Sequence, residues 1–427
     1  MGVDPKLVPT ICVIGGSAAG MTAAIFAARF GERVILIEGN DKLGRKIYAT
    51  GNGKCNFYNR DQDYRHFHTS GDPSWISEVL AHKEDTFLLD FFRELGLMSI
   101  ERHGGYYYPV NESAATVVAC LEEELQRLHV EIILKDRMRT LTRENGGFRV
   151  LLRSGSSYYA DAVILAMGGS ASPKLGSDGS GYYYAKNFGH TIVEPLPALC
   201  PLKLEPAGTD FSVWSGVRLT DASITLLVDG VSVASERGEI LLTAYGVSGI
   251  PVFQISGIAA VKLAQKKNVN IQIDAAPDMG AEEAKQAFSE WKACFGKRTL
   301  QEQLSRIFPT KMVEAFYRSS DRNTPMAKLD DASFAKAFDC FKHMTFTVLD
   351  TMGFDQAQVS SGGVSLSEVS PQTMESKLRP GLYFAGELLD VYGDCGGYNL
   401  QFAFTGGAIA GQSAAEACTK AREGMKR

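Results

Sequence analysis

The first forty residues alternate between short apolar runs and small or polar residues. Residues 11–14 are continuously apolar, which is typical of a strand buried on both faces of a parallel sheet. A glycine-rich turn follows, and the alanine-rich segment 21–30 predicts a helix that ends at Gly31. Residues 33–37 form a second apolar run. The order strand, turn, helix, strand predicts the opening unit of an α/β domain with a parallel sheet.

Helical and strand-like patterns continue to alternate as far as residue 194. Apolar residues at three- and four-residue steps predict helices over 87–95 and 113–128. Apolar runs predict three further strands, at 130–134, 148–152 and 162–166. Residues 1–194 are therefore predicted to be the first part of a Rossmann-type domain.

The pattern changes at Pro195, where several prolines punctuate a linker. Short strand-like runs then predict an inserted β-barrel-like domain, and a charged, helical stretch predicts a small helical domain. The chain ends with Rossmann-type material again, a strand followed by a helix rich in small residues. The predicted segments are 195–275 for the barrel, 276–341 for the helical domain, 342–353 for a strand that returns to the barrel, and 354–427 for the last part of the Rossmann-type domain.

The composition is that of an ordinary globular protein: of the 427 residues, 45% are hydrophobic and 22% are charged. The formal net charge of −5 argues against a nucleic-acid partner, because phosphate binding favours a basic surface. No apolar run reaches the roughly 18 residues that a membrane-spanning helix needs. The 8 cysteines are scattered without a C-x-x-C pair, so we expect neither a zinc site nor a redox dithiol. These features favour a reduced, cytoplasmic protein and leave its oligomeric state open.

The turn after the first strand has the chemistry of a dinucleotide site. It matches the pattern G-x-G-x-x-G at its first and last glycines, but Ser17 occupies the middle position. Such a turn directs the first N–H groups of a helix towards a pyrophosphate. Glu38 ends the second strand, where a carboxylate can hold both hydroxyls of a ribose and favours FAD or NAD over a 2′-phosphate. The residues predicted to form the turn at the pyrophosphate are Gly15, Ser17, Ala18, Ala19 and Gly20.

Four longer blocks carry a resemblance that spans nearly the whole chain. They are GRKIYATGNGKCN at 44–56, LAMGG at 165–169, GSDGSGY with GHT between 176 and 191, and GLYFAGE through GGYNLQ between 381 and 401. The chain resembles the bacterial flavoproteins described as aminoacetone oxidase family FAD-binding enzymes, a family that includes reductases of 3-oxo-4,6-diene bile acids. The resemblance implies FAD, a split Rossmann-type FAD-binding domain, an inserted barrel and a small helical domain.

The blocks also suggest individual contacts with FAD. The polar loop after Glu38 is expected to cover the pyrophosphate and the flavin ring, unless it is a solvated surface loop. Glu387 is expected to hold a ribityl hydroxyl, although it could instead cap a helix. The last helix is expected to face the flavin pyrimidine edge and to stabilise negative charge there. The further cofactor residues predicted in this way are Lys46, Gly51, Asn52, Gly53, Asn56, Met138 (whose backbone would meet the adenine), Ala166, Gly168, Gly386, Glu387, Gly397, Tyr398, Asn399 and Leu400.

The barrel block departs from the resembled pattern, which reads Thr-His-x-Gly-x-Ser-Gly-Pro. Here Ala244 stands at the histidine position, and Pro251 comes one place late. The block is predicted to be a bend, and Tyr245, Val247 and Ser248 are expected near the wall of a substrate pocket between the flavin and the barrel. Alanine in place of histidine removes a titratable group and leaves a larger apolar space in the predicted pocket, so we expect a bulky hydrophobic substrate.

The expected function is an FAD-dependent reduction of a carbon–carbon double bond conjugated to a ketone, in a steroid or bile-acid-like substrate, with NADH or NADPH as a candidate electron donor. Two alternatives remain open. One is a flavin oxidase of a small amine such as aminoacetone, and the other is a flavin-containing RNA-binding or RNA-modifying protein, which the acidic charge disfavours.

No catalytic acid or base can be assigned from the sequence, although the tyrosine clusters at 106–108 and 182–184 could supply a phenol that donates a proton. Cys55 and Cys395 are expected to pack as small hydrophobic residues. His66 and His68 are expected to have a surface role and not to bind a metal.

Overall fold

The structure, a computed structural model, describes residues 9–206 and 208–425. It contains two compact units. The first combines both ends of the chain, up to Leu196 and from Val359 onwards, and the second comprises Pro197–Gln358. The predicted fold class, a Rossmann-type domain split by an insert, is confirmed.

The N-terminal part of the first unit holds twelve strands and six α-helices among the described residues. The strands are β1 (Thr10–Ile14), β2 (Arg33–Ile37), β3 (Tyr58–Asn59), β4 (Phe67–His68), β5 (Ser99–Arg102), β6 (Tyr106–Pro109), β7 (Glu131–Ile133), β8 (Met138–Glu144), β9 (Gly147–Leu152), β10 (Ser157–Ala160), β11 (Ala162–Leu165) and β12 (Ile192–Ala198). The helices are α1 (Ala18–Arg29), α2 (Arg45–Ala49), α3 (Ser74–Ala81), α4 (Phe87–Glu94), α5 (Ala114–Arg127) and α6 (Ser180–Asn187).

The second unit and the C-terminal part of the first complete the chain. In the second unit the strands are β13 (Leu202–Leu204), β14 (Arg218–Val228), β15 (Val231–Thr243), β16 (Gly246–Ser248), β17 (Val269–Asp274) and β18 (Met344–Thr351), and the helices are α7 (Phe211–Trp214), α8 (Ile250–Ala264), α9 (Ala281–Phe295), α10 (Leu300–Leu304), α11 (Thr310–Phe316) and α12 (Asp331–Lys342). The first unit then resumes with β19 (Val359–Val364), β20 (Leu382–Phe384), β21 (Tyr392–Gly393) and α13 (Tyr398–Met425).

A five-stranded parallel sheet forms the centre of the first unit. Its order is β20-β11-β1-β2-β7, and every residue of the central strand β1 is buried. Burial on both faces explains why these strands are continuously apolar. In such a sheet, ligands bind beyond the carboxyl ends of the strands. The segments that follow β1, β2, β11 and β20 carry most of the predicted cofactor residues, so the topology gathers them at one edge.

Helices α1 and α13 pack against each other through small residues. A methyl group added at Gly407 would lie 2.3 Å from the carbonyl oxygen of Ala19, and one added at Gly411 would lie 2.2 Å from that of Ala23. No side chain fits at either glycine, so the two helix backbones are in direct contact. This packing fixes the start of α1 relative to the first half of α13.

The second unit contains a closed six-stranded barrel of order β13-β16-β15-β14-β17-β18. Its interior and the helices α9–α12 share one hydrophobic core. The domain boundaries predicted within this unit remain predictions.

Two elements of the barrel region differ from the prediction. Helix α8 lies within the stretch 224–272, in which short strand-like runs were predicted. Its sequence is apolar on nearly all sides and lacks a clear helical period, so the helix was missed. The block predicted to be a bend contains the barrel strand β16, which pairs with β13 and β15. Gly246 permits this pairing, since a methyl group there would lie 2.4 Å from the carbonyl oxygen of Leu202. In the part of the chain that the structure describes, no helix is long and apolar enough to cross a membrane.

Candidate functional site

The turn between β1 and α1 has the backbone shape that a dinucleotide fingerprint requires. Gly15 has a φ of +107°, and a methyl group there would lie 2.4 Å from the carbonyl oxygen of Ala166. A methyl group at Gly20 would lie 1.7 Å from the carbonyl oxygen of Gly15. Ser17 has a φ of −108°, which any residue can adopt, so the serine at the middle position does not distort the turn.

The start of α1 is open to an anion. No side chain caps it, and its first turn contains no acidic residue. Ala18 and Ala19 are small and buried there. The first N–H groups of a helix have no partner within the helix and carry a partial positive charge. The start of α1 can therefore bind a phosphate through its backbone.

Glu38 lies directly beside this turn. Its Oε2 accepts a hydrogen bond from the Gly16 N–H at 2.7 Å, and its Oε1 accepts from the backbone N–H and the Nδ2 of Asn40, both at 2.7 Å. Three donors therefore orient the carboxylate. An ionised carboxylate has about four lone-pair positions, so the side chain retains capacity for a hydroxyl donor.

The loop that follows α2 turns in the left-handed region. Gly51 and Asn52 both have a φ of 54°, and Gly53 has a φ of 86°. Lys46 reaches from α2 to the other end of the chain, where its Nζ lies 2.5 Å from Oε2 of Glu387. The structure thus brings together two predicted residues that are 341 positions apart.

Glu387 is held from a second side as well. Its Oε1 accepts a hydrogen bond from the Ser360 N–H at 2.9 Å, and the Oγ of Ser360 accepts from the N–H groups of Ser170 and Ala171. Glu387 lies within a short 3-10 turn, and no side chain caps the start of that turn. The alternative that Glu387 caps a helix is therefore not supported. The serine was missed in the sequence analysis. The sequence feature that could have indicated Ser360 is the run SSGG at 360–363, which consists of small polar residues and glycines.

Tyr182 belongs to one of the two tyrosine clusters that the sequence analysis named as candidate proton donors. Its hydroxyl is buried near Ser360 and Glu387. Burial and the nearby carboxylate of Glu387 raise the pKa of this phenol. The neighbouring Tyr184 has a structural hydrogen bond, because its hydroxyl donates to the Met138 carbonyl at 2.6 Å.

Asn56 and Gly397 meet where the polar loop contacts the start of α13. A methyl group at Gly397 would lie 2.8 Å from Oδ1 of Asn56 and 3.0 Å from the Tyr58 carbonyl, and Gly397 has a φ of +100°. The Oδ1 of Asn56 is buried without a partner. A buried polar atom without a partner is costly, so this oxygen marks a place for a hydrogen-bond donor.

The side chains at the start of α13 are already occupied by protein contacts. Asn399 makes a reciprocal pair with the Gly393 backbone, accepting from its N–H at 2.8 Å and donating to its carbonyl at 2.7 Å. The Tyr398 ring is buried and stacked on His66. Leu400 is half-buried. What this helix start offers a ligand is therefore its backbone N–H groups.

The remaining predicted cofactor residues surround the same sheet edge. Gly386 contacts α1, since a methyl group there would lie 2.9 Å from Cβ of Ala19. Ala166 follows β11 and donates its N–H to the Ile14 carbonyl at 2.8 Å. Gly168 has a φ of +75°, and a methyl group there would lie 2.4 Å from Oγ of Ser177. Met138 begins β8, and its carbonyl already accepts the Tyr184 hydroxyl.

The three residues predicted for the substrate pocket lie in and before β16. Val247 is completely buried in the barrel core, whereas Tyr245 and Ser248 are partly exposed. Ala244 is exposed in the turn before them. The prediction of a pocket wall therefore depends on Tyr245 and Ser248.

Two further expectations concern Cys55 and the histidines. Burial raises the pKa of the Cys55 thiol to about 12, which leaves it protonated at neutral pH and consistent with a packing role. The surface role expected of the histidines stays a prediction: both rings are partly exposed, and Asp394 contacts His66 and His68. Among the described residues, no group of three or more His, Cys, Asp or Glu side chains could hold a metal ion.

Comparison with known proteins places the chain in a family. A family model described as "HI0933-like protein Rossmann domain" matches residues 9–413. The chain belongs to this family. The resemblance to FAD-binding Rossmann flavoproteins that the sequence blocks indicated is thereby confirmed.

Two relatives of this HI0933-like protein are similar over nearly their whole length. It is 43% identical over 410 residues, 95% of this chain and 99% of the other, to the 3-dehydro-bile acid delta(4,6)-reductase of Clostridium scindens. It is 29% identical over 397 residues, 92% of this chain and 95% of the other, to the ribosomal RNA dihydrouridine synthase of Haemophilus influenzae. The fold is similar to that of the FrdA chain of Escherichia coli quinol fumarate reductase, with a TM-score of 0.51 at 13% identity, covering 97% of this chain and 71% of the other.

The residues at the sheet edge fit FAD. An elongated dinucleotide needs an anion site, a ribose acceptor and donors for the flavin ring, and these are the features of the α1 start, Glu38 and the α13 start. The unpartnered Oδ1 of Asn56 is an acceptor next to the α13 start.

Proposed function

We propose that this HI0933-like protein is an FAD-dependent reductase of a carbon–carbon double bond conjugated to a ketone in a hydrophobic, steroid or bile-acid-like substrate. The observation that carries the proposal is the 43% identity, over 95% of this chain and 99% of the other, to a 3-dehydro-bile acid reductase. That relative's name describes a substrate with a 3-keto group and double bonds at positions 4 and 6.

The two relatives have a common reaction class although their substrates are unlike. A dihydrouridine synthase saturates the 5,6 double bond of uracil, which is conjugated to a carbonyl, and a delta(4,6)-reductase acts on a double bond conjugated to a 3-ketone. In both cases hydride adds to the carbon remote from the carbonyl, and a proton adds to the carbon next to it. Reduction of a conjugated double bond is therefore the chemistry that this family site supports best.

The chain would hold the cofactor through the residues gathered at the sheet edge. The start of α1 would bind the pyrophosphate, Glu38 the adenosine ribose, and the Lys46–Glu387 pair the region between pyrophosphate and flavin. When bound and reduced by two electrons, FAD would supply the hydride that the reaction requires. The backbone N–H groups at the start of α13 would stabilise negative charge at the pyrimidine edge of the ring, which favours the reduced cofactor.

NADH or NADPH is the electron donor that we propose. The chain carries a single match to the strand, glycine-rich turn and helix fingerprint, so the nicotinamide would reduce the flavin without a dinucleotide domain of its own. A flavin oxidase acting on a small amine would use oxygen as the acceptor instead.

RNA is the competing substrate class, because the Haemophilus influenzae relative modifies RNA. The net charge of −5 favours a small substrate, since binding to RNA phosphates rests largely on Lys and Arg. The higher identity to the bile acid reductase favours the same conclusion.

The test is anaerobic mixing of the purified protein with NADH or NADPH, followed by candidate acceptors, while the flavin absorbance is recorded. We expect the nicotinamide to bleach the flavin and a 3-oxo-4,6-diene steroid to restore its colour. Restoration by a uridine-containing ribosomal RNA fragment would favour the RNA alternative, and bleaching by aminoacetone with reoxidation by oxygen would favour the oxidase. Acid precipitation should release FAD into the supernatant, and release of FMN would contradict the cofactor assignment.

A further inference from the structure

Two histidines and an aspartate meet beside the start of α13, and we name His66, His68 and Asp394 the histidine clamp. His66 Nδ1 lies 3.0 Å from Asp394 Oδ2, and His68 Nε2 lies 2.7 Å from Asp394 Oδ1. The two histidines flank the start of the short strand β4, which pairs with β21 immediately before Asp394. Both ends of the chain therefore contribute to the clamp.

The contacts of His66 define its charge. Its Nδ1 faces Asp394, and its Nε2 lies 3.1 Å from Oδ2 of Asp61. An ionised carboxylate only accepts hydrogen bonds, so both ring nitrogens must carry a proton to satisfy both contacts. The two contacts are both hydrogen bonds only when His66 is an imidazolium.

The acid–base behaviour of His66 agrees with this geometry. Partial burial by itself lowers the pKa of His66, but hydrogen bonds to Asp394 and Asp61 outweigh burial and raise it above the usual 6.5. The other groups that act on this ring are Asp63, from the same turn, and the phenol ring of Tyr398. The positive groups nearby are Arg65, which pairs with Asp63, and His68, which shares the Asp394 carboxylate with His66.

The clamp holds the turn from which α13 begins. The His66 ring stacks on Tyr398, the first residue of α13, with 4.6 Å between ring centroids, and the His68 ring stacks on Tyr392 with 4.7 Å. The Asp394 N–H also donates to the His66 carbonyl at 2.8 Å. From the other side, Asn399 closes the same turn through its pair with Gly393. The turn that contains Gly396 and Gly397 is thus held at both ends.

We propose that His66 is a positioning residue, whose charged imidazolium holds the turn before α13 and adds positive charge beside the helix start that stabilises the reduced flavin. The inference about the flavin rests on the proposed function, whereas the inference about the charged imidazolium does not. Loss of the charge should weaken the stabilisation of negative charge on the ring and make the midpoint potential of the flavin more negative.

The experiment compares the wild type with His66→Gln and His66→Arg. Glutamine removes the charge, whereas arginine keeps it at every accessible pH and can still contact both carboxylates. We expect the flavin potential of the glutamine variant to be more negative than that of the wild type at pH 6, and the difference to shrink as pH rises. The arginine variant should restore the potential and show no such dependence. His343→Gln, at an exposed position in the second unit, is the matched control.

Thermal unfolding over the same pH range tests the charge without reference to the flavin. Because the pKa of His66 is raised in the folded protein, its stabilising effect is fully present below about 6.5 and is lost as pH rises through the folded pKa. The difference in unfolding temperature between the wild type and the glutamine variant should therefore be largest near pH 6.

The outcomes separate the two proposals. If the wild type binds no FAD, the proposed function and the effect on the flavin both fail, while a pH-dependent stability difference would still support the charged imidazolium. If FAD is bound and the glutamine variant keeps the wild-type potential at every pH, His66 does not tune the flavin. Equal stability profiles would show that the ring is not charged. Should the glutamine variant not fold, the arginine variant alone decides, because it must lack the wild-type pH dependence of both the potential and the unfolding temperature.

Discussion

Glu38 shows how much a single side chain can contribute to cofactor binding. Its carboxylate is oriented by three N–H donors of the protein. We expect Glu38→Ala to reduce FAD affinity roughly tenfold or more, because hydrogen bonds to a charged group contribute about 1.5–3 kcal/mol each. Titration of the apoprotein with FAD measures the effect. Glu131→Ala is the control, since that carboxylate pairs with Arg33 at the surface, and equal affinities of the two variants would place the ribose elsewhere.

Gly397 is the second residue with a specific expectation. A side chain there would meet both Asn56 and the Tyr58 backbone, and would need a φ that non-glycine residues rarely adopt. We expect Gly397→Val to remain soluble but to lose flavin or shift its absorbance spectrum. Gly96→Ala is the control for backbone strain alone. Gly96 also has a positive φ, of +81°, but nothing lies within 4 Å of an added methyl group, so this variant strains the backbone without steric overlap. An unaltered flavin spectrum in Gly397→Val would remove the α13 start from the flavin site.

At the scale of elements, the contact between α1 and α13 determines where both helix starts lie. Gly407→Ala should destabilise the protein by about 1–3 kcal/mol, because the methyl group would overlap the Ala19 carbonyl. The neighbouring Gly406 offers a matched control: a methyl group there would lie 3.5 Å from Cε of Met374, an ordinary contact. Gly406→Ala should therefore be neutral or stabilising by up to about 1 kcal/mol, as alanine favours helix over glycine. Denaturant unfolding measures both, and equal effects would contradict the close packing.

At the scale of the whole molecule, the proposed substrate class can be tested at the turn before β16, where the sequence predicts part of the substrate pocket. Ala244 is exposed in the turn between β15 and β16, next to Tyr245. If this turn contacts the substrate, Ala244→His should lower kcat/KM for a bulky 3-oxo-4-ene or 4,6-diene steroid by about tenfold. The imidazole would fill space that the methyl group of Ala244 leaves open and would place a polar group against an apolar substrate. FAD content should be unchanged.

The control for this prediction is Ser232→His, at an exposed position on β15. Unchanged kinetics in the Ala244 variant would exclude the turn from the substrate site. A wild-type preference for a small amine would contradict the hydrophobic substrate class itself.

Much of the architecture could be predicted from the sequence, because it rests on local requirements. The apolar runs of β1, β2 and β11 indicated a parallel sheet, since strands buried on both faces have no polar alternation. Gly15 and Gly20 indicated the fingerprint turn, since no side chain fits at either position. Helix α8 was missed for a related reason: a segment that is apolar on nearly all sides has no period that distinguishes helix from strand.

The sequence by itself determined the family and the split Rossmann-type fold, because short-range patterns and glycine positions are set by the chain's own geometry. The residues that it assigns to FAD remain predictions. Only the tertiary structure decided which side chains are free and which are already paired. It joined Lys46 to Glu387 across 341 positions and His66 to Asp394 across 328, and it committed the Asn399 side chain to the Gly393 backbone. Such contacts depend on how the strands are ordered and how the two helices approach each other, and no local pattern contains that information.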